Sequence, residues 1–190
     1  MARALILLLS LYALGARADT GGLVAGVFSP PRLAPEFTLR GSDGADLNLG
    51  HYRGKVVLLA FGYTSCTEVC PVTLSILAQA RRKLGAAASE LQVVYITVDP
   101  ARDTALRMRS YLTAFDPSFV GGTGTEAQLA AVRAAYGISL GPKVAVPGGY
   151  VLSHSSFTYL IDRSGKLHAL MPFGHSAEDF AHDVRLLLKQ

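Results

Sequence analysis

The sequence predicts an α/β fold in which a mixed sheet is flanked by helices, and three observations carry this prediction. Residues 55–61 and 91–98 are continuous apolar runs rich in β-branched residues, which is typical of strands buried on both faces. An amphipathic segment follows each run, and strands that alternate with helices indicate parallel pairing. Two hairpin patterns add antiparallel strands at either end of the chain.

The hairpins and helices are marked by turn and capping residues. Pro71 suits the first turn of a helix, where no N–H partner is needed, and this helix is expected to end near Gly85. Thr125 with Gln128 forms a capping box for a later helix. The remaining predicted features are a hairpin of 37–39 with 47–49 across 41–44, a helix from Asp103 or Thr104, a short strand or turn at 119–122, a hairpin of 157–162 with 166–171 across 163–165, and a helix from Ser176 to Leu188.

The N-terminus has the profile of a secretory signal peptide over residues 1–18. Arg3 precedes an apolar stretch at 4–14, and residues 16–18 form an A-x-A cleavage site. The stretch is short of the roughly 20 residues that a membrane span needs, although an uncleaved segment retained as an anchor stays open. We therefore expect export to the periplasm or another extracytoplasmic, oxidising compartment, a flexible segment at 19–35 and one domain at 36–190.

The charge balance argues against nucleic acid as a partner. The whole chain carries a formal net charge of +4, which falls to +2 when Arg3 and Arg17 leave with the signal peptide. The one basic run, residues 81–83, is best interpreted as the solvated face of a helix. We expect no nucleic-acid binding, and membrane association only through a partner or an uncleaved signal.

The only two cysteines, Cys66 and Cys70, lie where the first buried strand stops and a helix starts. The N-terminal end of a helix favours the thiolate form of cysteine. Two thiolates one turn apart can chelate a soft metal or close into a disulfide. The spacing is C-x-x-x-C, one residue longer than the C-x-x-C of thioredoxin redox sites. This spacing alone does not decide between metal binding and disulfide formation.

His154 is the third candidate, because it precedes the late strand that would run beside the cysteine turn. Two thiolates and an imidazole suit copper, whereas a structural zinc site wants four ligands. The alternative is a loop histidine bonded to backbone or water, which is the commoner case. Other donors are weaker candidates on position: His51, His168, His175, His182 and the predicted core residue Met171.

The order of elements, with a cysteine pair after a central strand and a late hairpin before a terminal helix, is a thioredoxin-like layout. On that frame the chain resembles the Sco/SenC family of copper chaperones from about Ala34 to Leu188. Four segments carry the resemblance in order: Gly62-Tyr63-Thr64-Ser65-Cys66-Thr67-Glu68-Val69-Cys70-Pro71, Asp99-Pro100-Ala101-Arg102-Asp103-Thr104, Gly122-Thr123-Gly124-Thr125, and Ser153-His154-Ser155-Ser156 with Tyr159-Leu160-Ile161-Asp162.

The resemblance implies one copper ion, as Cu(I) or Cu(II), held by Cys66, Cys70 and His154. It also implies delivery of copper to the dinuclear site of cytochrome c oxidase subunit II, or reduction of that site's cysteines, with a copper donor chaperone as a second partner. The chain departs from the family pattern at three positions: Thr67 replaces a proline, Glu68 an aspartate, and Ser153 an aspartate that precedes the histidine.

Three functions compete on these residues. The first is a metallochaperone that catalyses nothing by itself. The second is a thiol–disulfide oxidoreductase that keeps partner cysteines reduced and needs neither metal nor histidine. The third, ranked last, is a peroxidase in which Thr64 and Arg102 support Cys66. The segment of Asp99, Arg102 and Asp103 is interpreted as a turn with a surface ion pair of Arg102 and with Asp103 or Thr104 as a helix cap. This interpretation is preferred to support for the site or docking of a partner.

Overall fold

The computed structural model describes residues 22–190 and contains ten strands and four α-helices in this part of the chain. Short 3₁₀ turns lie at Leu49–Tyr52 and Gly85–Glu90. The elements in chain order are β1 Gly26–Leu33, β2 Thr38–Gly41, β3 Asp46–Asn48, β4 Val56–Gly62, α1 Val69–Lys83, β5 Leu91–Thr97, α2 Ala105–Thr113, β6 Val120–Thr123, α3 Glu126–Tyr136, β7 Leu140–Val146, β8 Gly149–His154, β9 Phe157–Ile161, β10 Lys166–Pro172 and α4 Ala177–Leu188.

Eight of these strands form one mixed sheet in the order β1-β10-β9-β4-β5-β6-β2-β3. The three central strands β4, β5 and β6 run parallel, with Phe61 beside Ile96 and Val94 beside Val120. The outer strands are antiparallel, including β9, which pairs with β4 through Ala60 and Thr158. This pairing brings the start of β9 to the carboxyl end of β4, the edge of the sheet where ligands gather in α/β folds.

Helices cover both faces of the sheet, and alternation along β4 decides which side chain meets which helix. Gly62 faces the side of α1, where a β-carbon on it would approach Cys70. Phe61 faces the opposite side and packs its ring against Tyr136 of α3. All seven residues of β4 and all seven of β5 are buried, which explains their continuous apolar sequence.

The predicted α/β class, the buried strands and both hairpins are confirmed. Leu39 pairs with Leu47 in the first hairpin and Leu170 with Tyr159 in the second. The capping box of Thr125 is present, and Ser176 caps α4 through a capping box of its own. The sequence is therefore a reliable guide wherever apolar alternation and capping chemistry agree.

The segment 19–35 differs from the expectation that it carries no regular structure, which is wrong over Gly26–Leu33. This stretch is β1, the edge strand that pairs antiparallel with β10. Its register is interrupted between Val27 and Arg32, where Pro30 and Pro31 lie. Prolines are tolerated in an edge strand at such an irregularity because no ladder hydrogen bond is lost there. The sheet therefore begins before residue 36.

A second unexpected element is the two-stranded sheet of β7 and β8, which stands apart from the main sheet. It places His154 at the end of β8 instead of in a plain loop. The predicted signal peptide at 1–18 lies outside the described residues. Among residues 22–190, no helix has the length and apolarity needed to span a membrane.

Candidate metal centre

The cysteine turn follows directly from the end of β4. After Gly62 the chain leaves the sheet through the buried Tyr63, turns with a hydrogen bond from the Cys66 N–H to the Tyr63 carbonyl at 3.3 Å, and enters α1 at Val69. Cys66 is therefore in the turn and partly exposed, whereas Cys70 lies in the first turn of α1 and is 2% exposed. Both are free cysteines.

The Cys66 sulfur accepts a hydrogen bond from the backbone N–H of Cys70 at 3.4 Å. Hydrogen bonding from the Cys70 side chain, helped by the backbone N–H groups of Cys70 and Glu68 and by nearby His154, lowers the pKa of Cys66 from 9.0 to about 5. The backbone contributions are the stabilisation of a thiolate by a helix N-terminus that the sequence predicts, and the larger contribution of the Cys70 side chain adds to it. Cys66 is the more nucleophilic and more accessible of the two sulfurs.

Cys70 is affected in the opposite direction. Its hydrogen bond to Cys66 and then its burial raise the pKa of the Cys70 thiol well above the ordinary value. The two sulfurs therefore share one proton between a charged, exposed partner and a neutral, buried one. Binding of a positively charged metal ion favours loss of the second proton from such a pair.

His154 approaches the pair from β8. Its Nε2 lies 3.7 Å from the Cys70 sulfur, and its Nδ1 lies 2.8 Å from the carbonyl oxygen of Ser155. A carbonyl can only accept, so Nδ1 carries the proton and the lone pair of Nε2 faces the sulfur. The carbonyl of Ser155 thus orients the imidazole, a role that a carboxylate often has at metal sites and that Ser153 cannot supply.

The distance between Cys70 and His154 suits a shared metal ion. Bonds of about 2.3 Å to sulfur and about 2.0–2.1 Å to nitrogen place the two donors roughly 3.6–3.8 Å apart at trigonal or tetrahedral angles. The separation of 3.7 Å falls within that range. Within residues 22–190, His, Cys, Asp and Glu side chains form no group of three that is close enough to hold a metal ion as they stand.

The strand that carries His154 is fixed by Arg102. The Arg102 guanidinium forms an ion pair with Asp99, donates to the Tyr150 carbonyl at 2.9 Å and lies 3.7 Å from the centre of the Tyr150 ring. The Tyr150 hydroxyl donates in turn to Asp99 at 2.6 Å. Further along β8, the Leu152 N–H donates to the Tyr63 hydroxyl at 3.2 Å. These contacts join β8 to the turn after β5 and to the cysteine turn.

The cysteine turn itself is held by Asp103, which is fully buried. Its carboxylate accepts from the Thr64 N–H at 2.9 Å, from the Thr64 hydroxyl at 2.5 Å and from the Thr97 hydroxyl at 2.6 Å. Arg107 donates to Thr64 at 2.6 Å and to Ser65 at 3.0 Å. Of the two predicted caps, Asp103 and Thr104, it is Thr104 that caps α2, and Asp103 supports the cysteine turn.

The site opens to solvent through a groove of about 360 Å³. The cysteine turn forms one wall and the end of β8 the other, with Cys66 and His154 both lining it. Thr64 and Arg102, the residues that a peroxidase would need beside Cys66, are engaged by Asp103 and by Asp99 instead. The groove therefore exposes one sulfur and one imidazole to a partner and keeps Cys70 behind them.

Met171 and the other four histidines of the sequence do not line the groove. Met171 is fully buried in the core, as the sequence predicts. His168 is partly buried, and its Nε2 lies 2.7 Å from a carboxylate oxygen of Asp162. His175 and His182 approach carboxylates of their own helix region, Asp179 and Asp183. His51 lies in an exposed 3₁₀ turn.

These features define a thioredoxin-like α/β protein with two cysteines and a histidine at the carboxyl end of a central strand. The SCO1/SenC family model matches residues 28–189, and the chain belongs to this family. It is 35% identical over 140 residues to the SCO2-like protein of Rickettsia felis, covering 71% of this chain and 67% of that protein.

Solved structures support the same assignment. The chain is similar to the copper-bound ScoI of Bradyrhizobium japonicum, with a TM-score of 0.75 and 32% identity over 82% of this chain and 99% of the other. It is also similar to yeast Sco1 with copper bound, with a TM-score of 0.75 and 28% identity over 84% of this chain and 90% of the other. Both of those proteins were solved with the metal that the sequence predicts for this chain.

Proposed function

We propose that this protein is a copper-binding metallochaperone of the SCO1/SenC family and that Cys66, Cys70 and His154 are its ligands. The observation that carries the proposal is the approach of His154 Nε2 to 3.7 Å from the Cys70 sulfur, with Nδ1 turned to a carbonyl. Thiolates select Cu(I), and imidazole also suits Cu(II), so this donor set serves both oxidation states. The copper-bound relatives support the choice of metal.

Copper is the cargo of such a protein, and the groove suits its transfer. Cys66 is the more exposed of the two sulfurs and lines the groove, so a partner thiolate can replace it first. The partner's thiol loses its proton as it binds the metal, and the released Cys66 is left to the helix N-terminus that stabilises its charge. Cys70 and His154 keep the ion until the second exchange.

The proposed acceptor is the dinuclear copper site of cytochrome c oxidase subunit II, and a separate chaperone would supply the metal. The proposed compartment is the periplasm or another extracytoplasmic space, reached through the predicted signal. The support for these steps is membership of the family together with the predicted N-terminal signal. The mechanism needs only that the acceptor offers thiolates to the groove.

One observation favours a second function, thiol–disulfide exchange. The low pKa of Cys66, caused mainly by hydrogen bonding from Cys70, and the raised pKa of Cys70 suit an attacking and a resolving sulfur. In that reaction Cys66 would attack a partner disulfide, and Cys70 would displace the reduced partner and leave a Cys66–Cys70 disulfide. His154 has no part in it.

The test is a titration of the reduced protein lacking residues 1–18 with Cu(I) against a chelator, alongside Cu(II) spectroscopy. One tight equivalent in the wild type that is weakened in Cys66→Ala, Cys70→Ala and His154→Ala supports the chaperone. His168→Ala is the matched control, because that imidazole is bound to Asp162 away from the groove. Binding indifferent to His154, with equal disulfide reduction by wild type and His154→Ala, favours the oxidoreductase.

A further inference from the structure

Tyr95, in the middle of the central strand β5, has a hydroxyl group with no role in the features described so far. The side chain is 1% exposed, and its oxygen makes no hydrogen bond within residues 22–190. A buried hydroxyl without a partner costs free energy, and native proteins retain few of them. A phenylalanine ring would fill the same space without that cost. The hydroxyl therefore calls for an explanation.

The oxygen of Tyr95 lies beside the sulfur of Cys70. Both atoms lie over Gly62: a β-carbon built on this glycine would be 1.9 Å from the Tyr95 oxygen and 2.9 Å from the Cys70 sulfur. The absence of a side chain at position 62 is what lets the two groups approach. Cys70, Tyr95 and His154 all line one small cavity of about 10 Å³, so the three side chains converge.

The chemistry of the pair is complementary once Cys70 carries charge. A phenol has an ordinary pKa of about 10, so the Tyr95 hydroxyl is a hydrogen-bond donor at neutral pH. A neutral thiol is only a weak acceptor. A thiolate is a much better acceptor, and hydrogen bonds to ionised groups are shorter and stronger.

We propose that Tyr95 is a positioning residue that donates a hydrogen bond to the sulfur of Cys70 when this sulfur is a copper ligand. The inference rests on the proposed function and adds a third interaction to the buried ligand, beside copper and His154. Each thiolate then has its own hydrogen-bond donors. The charge on Cys66 is stabilised by backbone N–H groups at the start of α1, and the charge on Cys70 by the hydroxyl of a residue in β5.

A donor on a coordinated sulfur has measurable consequences. It withdraws electron density from the thiolate, and hydrogen bonding around a copper-bound cysteine sulfur is known to tune the reduction potential of copper sites. We expect it to raise the Cu(II)/Cu(I) potential and to move the sulfur-to-Cu(II) charge-transfer band to higher energy. A residue that only fills space would change neither quantity.

The test compares Tyr95→Phe with Tyr111→Phe in the purified protein. The substitution at 95 keeps the ring and removes only the oxygen. Tyr111 is the matched control, since its ring lies 6.5 Å from that of Tyr95 and its buried hydroxyl also has no partner among the described residues. We expect Tyr95→Phe to move the charge-transfer band to longer wavelength, to lower the copper potential and to weaken Cu(I) binding about tenfold, with Tyr111→Phe unchanged.

A band and potential that are the same in wild type and folded Tyr95→Phe would overturn the proposal, as would equal shifts in both variants. A metal-free readout separates this failure from a failure of the proposed function. The midpoint potential of the Cys66–Cys70 disulfide against its reduced pair, a two-electron and one-proton couple at neutral pH, should be lower in Tyr95→Phe. The reduced pair carries a negative charge and the disulfide does not, so the neighbouring donor stabilises the reduced form more. If the wild type binds no copper but the disulfide potential is still lower in Tyr95→Phe, the chaperone function is refuted and the hydrogen bond from Tyr95 to Cys70 is supported.

Discussion

The difference in pKa between the two cysteines leads to a prediction about their alkylation. Hydrogen bonding from Cys70 is the largest cause that lowers the pKa of Cys66 to about 5, and it raises the pKa of Cys70. In the reduced, metal-free protein, Cys66 should therefore react with iodoacetamide at a rate that is nearly constant from pH 6 to pH 8. An ordinary thiol gains about tenfold per pH unit over the same range, because only its thiolate reacts.

The size of the effect follows from two opposing factors. At pH 6 a thiol of pKa 5 is about 90% ionised and one of pKa 9.0 about 0.1%, a gain of roughly 900-fold in thiolate. The lower basicity reduces the nucleophilicity by about 40- to 100-fold for a shift of this size, given a Brønsted coefficient of about 0.4–0.5. The gain in thiolate fraction exceeds the loss of nucleophilicity, so Cys66 should react about tenfold faster than an ordinary cysteine at pH 6.

The assay is alkylation across pH 4 to 8, quenched and read by mass spectrometry of the two cysteine-containing peptides. Cys70→Ala removes the side-chain donor that lowers the pKa of Cys66 most, so the profile of Cys66 should move to higher pH. Cys70 itself should stay unmodified in the wild type until well above pH 8. A Cys66 rate that climbs tenfold per pH unit up to pH 8 in the wild type would refute the account of this pair.

Three further substitutions test the scaffold of the site. Asp103→Ala leaves the donors of Thr64 and Thr97 without a buried acceptor and should lower the free energy of unfolding in urea by about 3–5 kcal/mol. The exposed control Asp46→Ala should lower it by less than about 0.5 kcal/mol. Equal losses in the two variants would contradict this prediction. Gly62→Ala places a methyl group 1.9 Å from a fully buried oxygen and should cost about 2–3 kcal/mol in thermal unfolding, whereas an unchanged midpoint would show that the packing is looser. Arg102→Met removes the contact that holds β8 and should weaken Cu(I) binding about 10- to 100-fold with little change in disulfide reduction. An unchanged Cu(I) affinity would show that the position of His154 does not depend on Arg102.

The predictable part of the fold is the part in which local and tertiary preferences agree. The strands β4 and β5 are apolar over their whole length because both faces are covered, and the capping boxes of Thr125 and Ser176 are satisfied as the sequence indicates. The edge strand β1 was missed because Pro30 and Pro31 suggest a loop, and pairing with β10 around an irregularity is a tertiary event. Local composition could not reveal that partner.

The hairpin of β7 and β8 was missed for a related reason. Its residues are mostly exposed, and Gly141, Pro142 and the pair Gly148-Gly149 interrupt any alternation. The chemistry of the site was accessible as residue types, since two cysteines and a histidine in this order suggest a soft metal. Its supports were not, because Asp103 and Tyr95 act through contacts that only the folded sheet creates. The D-P-A-R-D-T segment was the one signal that could have pointed to Asp103.

The central claim is that one copper ion is bound by two sulfurs and one imidazole nitrogen, and X-ray absorption at the copper edge tests it most directly. The Cu(I)-loaded protein is predicted to show two sulfur ligands and one nitrogen ligand, and the nitrogen should disappear in His154→Ala and persist in His168→Ala. A sulfur-only shell in the wild type, or a nitrogen that survives the loss of His154, would contradict the account.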